Sequence, residues 1–222
     1  MMLRTRLAIT FAAVVVGVMS CSSDTTTEPN ILTIDAGVPQ GWFRVGGNVA
    51  SYVVGINTRN AHGGSTALAI GGTDTSKLRF SGVGQELQAD TYLGKRIRLR
   101  GWVRQVGVVG SDIGLWMRID GPGLTLGFDN FSTRSLVGTA DWHQVEIILD
   151  VPDNAIGIAF GAVMSGKGVL LVDDMTFEVI PPTGPTTNQL LEPTPVSVDS
   201  ATFVQIYAGA GKSPVNLNFE QR

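Results

Sequence analysis

Between Arg96 and Asp120, tryptophan, arginine and aspartate recur at every second position. Arg98, Arg100, Trp102 and Arg104 alternate with Ile97, Leu99, Gly101 and Val103. Trp116, Arg118 and Asp120 then alternate with Leu115, Met117 and Ile119. Side chains two apart on extended backbone share a face, so this spacing predicts a face that is polar and aromatic while its reverse is apolar. Gln144 and Glu146, on the run opened by Trp142, add to that face, and Gly157, Ala159 and Gly161 leave it room. An indole plane packs on C–H faces, and planar Arg, Asp, Glu and Gln groups hydrogen-bond to hydroxyls or pair with acids. Trp102 and Trp116 are the expected platforms, and the arginine excess suits an anionic ligand. The competing reading is a tryptophan tucked under a loop beside solvated arginines.

Other chemistry is sparse. His62 and His143 are the only histidines and Cys21 the only cysteine, which excludes a disulfide framework and a zinc cluster. Gly211-Lys212-Ser213 resembles the end of a P-loop, but Ile206 stands where its first glycine belongs. Asp120, Asp129 and Glu146 could supply a glycosidase pair, yet no motif singles them out. The chain is therefore expected to be no enzyme. Asp173 is a misfit of another kind: alternation puts it with Leu171, Met175 and Phe177 on the interior side, where an uncompensated carboxylate is costly.

The elements that must position these residues are strands. The 28 glycines among 222 residues exceed the usual ~7%, and charged residues, at 16%, fall below the usual ~25%. Period-two runs continue at Val145–Val151, Ile156–Ala162 and Leu171–Val179, divided by turn signals such as NAHGGS, DGPG, VPDN and SGKG. Residues 30–180 are thus predicted to form one all-β domain, an antiparallel β-sandwich. Ahead of it, Arg4 and Arg6 precede an apolar run ending in Val-Met-Ser-Cys21, which reads as a signal peptide over 1–20. The ending resembles a bacterial lipobox. That resemblance implies lipidation of Cys21, a polar tether over 21–29 and a lipid-anchored place in the cell envelope. Losing both arginines would take the formal charge from −3 to −5, which gives no reason to expect a nucleic-acid partner. Residues 181–222 begin as a Pro/Thr-rich linker, followed by a possible strand over 197–207. The ending SPVNLNFEQR looks like an opening strand of the same domain, whose counterpart is NILTID. It is either a remnant repeat or a strand that docks on the sandwich or on a neighbouring protein.

LGFDN, GTADWHQVEIILDVP, AIGIAFGAVMSGKG and VLLVDDMTFEV together resemble a jelly-roll module of bacterial exported proteins. More broadly, the pattern is similar to carbohydrate-binding modules of families four, nine and twenty-two, in the galactose-binding-like superfamily. The resemblance implies a concave sheet that holds sugar, hence a carbohydrate ligand for Trp102, Trp116, Arg98, Arg100, Arg104, Arg118, Asp120, Gln144 and Glu146. It also implies a structural Ca²⁺ held by Asp173, Asp35 and the backbone of Gly64 or Ser65. The function expected from these readings is a non-catalytic, membrane-anchored carbohydrate binder. The alternative is a structural or protein-interaction module of the envelope.

Overall fold

The computed structural model describes residues 33–222, apart from 48–49, 74–79 and 197–199, and leaves the side chains of 200–203 undescribed. The expected signal peptide and Cys21 lie outside the described residues. The described strands are β1 (Asp35–Ala36), β2 (Phe43–Val45), β3 (Tyr52–Asn57), β4 (Ala67–Thr73), β5 (Ser81–Gln88), β6 (Arg96–Gly121), β7 (Leu124–Asp129), β8 (Gly138–Asp150), β9 (Gly157–Ile180) and β10 (Thr194–Pro195). One helix follows, α1 (Ser200–Ala208). Every strand pair is antiparallel.

The two longest strands build the sandwich by running through both of its sheets. The first half of β6 pairs with β8 and with the second half of β9, beyond which lie β4, β3 and β1. The second half of β6 pairs with β7 and with the first half of β9, beyond which lie β5 and β2. Between its halves β6 bends: its register on β9 slips between Val106 and Val109 and again between Ser111 and Gly114. Gly107 at φ 58° and Asp112 at φ 51° make the turn in the left-handed region, where a glycine costs least. The bend folds the strand onto itself. A methyl on Gly101 would stand 3.7 Å from Leu115 Cδ1, and Phe160 and Phe177, from the two halves of β9, have ring centroids 5.1 Å apart.

Ile97, Leu99, Leu115, Met117, Ile119, Phe160, Leu170 and Val172 fill the space between the sheets. Fully burying one such side chain contributes roughly 1.5–3 kcal/mol. Alternation along β6 is as expected, but its consequence is not. Since the inner faces of the two halves look at each other, their outer faces look apart. Trp102 with its arginines and Trp116 with Arg118 are therefore on opposite sides of the molecule, and the single composite face predicted for them does not exist.

The C-terminal segment also departs from expectation. Residues 200–208 form a helix where a strand was predicted. Among the described side chains of this helix, Tyr207 is the one that finds a buried place, at 2% exposure. The segment 214–222 packs on its own sandwich. Phe219 is fully buried in the core beside Trp42, with ring centroids 5.1 Å apart. Trp42 Nε1–H donates to Asn216 O at 3.0 Å, and Met175 N–H to Leu217 O at 3.0 Å.

Candidate ligand cleft

On the outer face of the first sheet, each predicted ligand arginine already has a partner. Arg98 donates to Glu178 Oε1 at 2.8 and 3.0 Å, Arg100 to Glu146 Oε2 at 3.1 Å, and Arg104 to Asn60 Oδ1 at 3.1 Å, with Asp141 3.4 Å away. Charges opposed across neighbouring strands form a ladder that ties β6 to β8 and β9. Gln144, opposite Trp102 in the register, is exposed. Trp102 is no open platform: the His62 ring stacks on it at 4.1 Å and 14°, with Trp142 edge-on to His62 at 5.6 Å.

Asp173 sits under this cap, fully buried, but on the outer side of its sheet. A bulge at Asp173–Asp174, with Asp174 at φ 43°, breaks the alternation, so Leu171 and Asp173 face out while Val172 and Met175 face in. Asp173 accepts N–H bonds from His62 at 2.8 Å, Gly63 at 3.0 Å and Asp174 at 2.7 Å. Burial pushes its carboxyl up to about 6 despite those donors. The expected calcium set does not assemble. Asp35 is exposed on β1, opposite Ile56. The acid at the Gly64–Ser65 turn is Glu220, which accepts from Ser65 N–H at 2.7 Å, Ser65 Oγ at 2.6 Å and Thr66 N–H at 3.0 Å. Both carboxylates are surrounded by donors, the wrong polarity for a hard cation. Among the described residues no three His, Cys, Asp or Glu side chains cluster as metal ligands.

The outer face of the second sheet is different. The residues of β6 that face outward there run Asp112, Gly114, Trp116, Arg118 and Asp120, a line of roughly 26 Å at ~3.3 Å per residue. Over the first part of it lies a cavity of about 430 Å³. Trp116, Phe128, Phe80, Val45 and Val163 supply its apolar wall, and Asp112, Asn130, Ser165 and Arg118 its polar groups. Trp116 is fixed by donating Nε1–H to Val83 O at 3.1 Å. Asp112 accepts from Asn130 Nδ2 at 3.1 Å and Ser111 Oγ at 2.9 Å.

At the far end Asp120 is fully buried. It accepts from Arg118 Nε at 2.8 Å, from Thr125 Oγ1 at 3.3 Å and from the Tyr207 hydroxyl of α1. Burial raises the Asp120 carboxyl above its usual range against the pull of Arg118. Glu86, also near Arg118 and Asp120, is raised by burial too. Asp129, another candidate acid, is structural: buried beneath the cleft, it receives two bonds from Arg134 at 3.0 and 2.7 Å.

Of the predicted ligand residues, only Trp116, Arg118 and Asp120 come together here. Sequence reasoning missed Asp112, Asn130, Phe128 and Phe80, which reach the cleft through strand register and a loop. It also missed Tyr207, for which no local signal existed.

No protein-family model matches the chain. A Bacillus subtilis protein named as an uncharacterized HTH-type transcriptional regulator, YbfP, is 34% identical over 184 residues, covering 82% of this chain and 57% of its own length. The chain thus spans little more than half of that relative. Among solved structures, the tandem CBM22-1–CBM22-2 domain of Paenibacillus barcinonensis Xyn10C superposes with a TM-score of 0.50 at 19% identity, covering 67% of this chain and 44% of that one. The CBM22-1 xylan-binding domain of the same enzyme gives 0.48 at 17% identity, covering 66% and 90%. The fold is a carbohydrate-binding-module-like jelly roll. The functional expectation needs correcting. A relative that shares most of this chain is named a transcriptional regulator, which overturns the reading of a membrane-anchored carbohydrate binder.

Proposed function

We propose that this chain is a ligand-sensing module: a β-sandwich that takes a small amphiphilic organic effector into the cleft of the second sheet, in the manner of the effector-binding part of a transcriptional regulator. The cleft carries this reading. It combines an aromatic wall with charged groups along one strand, and a pocket of a few hundred Å³ with a few convergent polar groups is the usual form of a small-molecule site. The regulator-like relative supports the sensing role. Reading DNA with a helix-turn-helix takes two helices, whereas α1 is the one helix among the described residues, so the sandwich is assigned the sensing rather than the reading. This reading asks for binding and no chemistry, with Asp120 holding Arg118, Thr125 and Tyr207 together at the end of the groove.

The test is a thermal-shift screen of the full chain against a broad panel of small organic metabolites, repeated with Trp116→Ala. Binding of a subset, weakened about tenfold or more by loss of the indole wall, supports the proposal. Either silence across the panel with a folded protein or equal binding by Trp116→Ala overturns it.

A further inference from the structure

The groove on the second sheet is longer than its open part, and the chain fills the remainder itself. Tyr207 lies at the Asp120 end, its ring flat on the backbone of Gly157, where a Cβ would overlap it. Its hydroxyl donates to Asp120, which Arg118 also holds. Arg118 lines the open cavity as well, so the filled and open parts share one guanidinium and one strand.

Among its described side chains, the helix that brings Tyr207 there has little other hold. Val204 and Ile206 are 42% and 41% exposed, and Tyr207 is the one buried side chain among those described on α1. Its last carbonyl, Ala208 O, accepts from Gln88 Nε2–H at 3.2 Å, and Gly211 O, just past the helix, accepts from Gln88 N–H at 2.9 Å. Nine residues make too short a helix to persist in water alone, and segments with few buried contacts open first.

We infer that Tyr207 is an internal occupant of a ligand subsite, and that the groove takes a hydroxyaryl ligand whose ring displaces Tyr207 and undocks α1. The inference rests on the cleft being a ligand site and names its ligand class and its output. Three features fit a phenol rather than an apolar ring: a flat glycine floor, a buried carboxylate as acceptor, and a guanidinium that pairs with that carboxylate. Docking of α1 and binding of ligand then exclude each other, and the position of α1 reports occupancy.

The probe is p-cresol, with toluene as the same shape lacking the hydroxyl. In the full chain, Tyr207→Ala leaves a phenol-sized space, so p-cresol raises its melting temperature. Toluene does so at about tenfold higher concentration or not at all, because it does not replace the hydroxyl donor that Asp120 loses with Tyr207. Gly157→Ala placed on Tyr207→Ala puts a methyl on the floor and abolishes the p-cresol effect. In the wild-type chain, p-cresol accelerates chymotryptic cleavage after Tyr207, a bond protected while the ring is buried. If Tyr207→Ala does not fold, Tyr207→Phe carries the test, since cleavage after that position then needs less p-cresol. Equal effects of toluene and p-cresol, or cleavage indifferent to p-cresol, overturn the inference. The Trp116→Ala screen reads the open part of the groove separately, so either result stands without the other.

Discussion

Asp173 and Glu220 are two carboxylates in backbone N–H cradles a turn apart, yet they titrate in opposite directions. At Asp173 burial wins and the carboxyl rises to about 6 from 3.8; at Glu220 hydrogen bonds from Ser65 and Thr66 win and it falls to about 2 from 4.5. The signs set two pH windows. A raised carboxyl binds its proton more tightly in the folded state, so the Asp173 contribution is full below about pH 4 and is lost as pH rises through about 6. A depressed one works the other way, and the Glu220 contribution is full above about pH 4.5 and is lost toward about 2. Urea midpoints measured across pH 2–7 should show both slopes. Asp173→Asn should flatten the upper one while lowering stability throughout, because its NH₂ meets N–H groups. The sequence marked Asp173 as a residue needing compensation. It did not reveal the source, because two of the three donors come from a turn about 110 positions away and the bulge at Asp174, which supplies the third, reverses the face.

At the scale of elements, the segment 214–222 behaves as part of the core. Phe219→Ala should cost about 3–5 kcal/mol in chemical denaturation, the usual range for a buried phenylalanine. Glu220→Gln should cost less and should spare Phe219. The likeness of NLNFE to an opening strand was legible as sequence, but its docking place was not. The segment packs as a turn, not as a strand, and nothing local tells such a segment whether its place lies on its own sandwich or elsewhere. α1 was misread for a related reason: Val204 and Ile206 favour strand by type, but they are exposed, and the buried anchor among the described side chains is a tyrosine bonded to a distant aspartate.

For the whole molecule, the two-sheet architecture was largely readable from alternation and turn residues, and the face that matters was not. Alternation assigns parity within a strand. It does not say that a strand bends at residues 106–114 and carries its outer face to the other side, and so Trp102 and Trp116 seemed to be neighbours. The same architecture predicts that metal is dispensable, since Asp173 is satisfied by backbone amides, Asp35 is exposed on β1, and the Gly64–Ser65 turn is held by Glu220. Melting of the full chain should be unchanged by a chelator; a drop of several degrees would contradict the cradle geometry.

The long ladder between β6 and β9 has a kinetic side. β4, already paired with β3, gains its second partner only when β9 is available, with Leu68 opposite Val172, and β5, already beside β2, waits for the same strand, with Val83 opposite Ala162. Loop-closure entropy must be met before such remote pairings are rewarded, which places folds of this kind in the millisecond-to-second range. The strands before residue 121 thus lack their central neighbour until 157–180 exist, and closure of the sandwich is expected to come late.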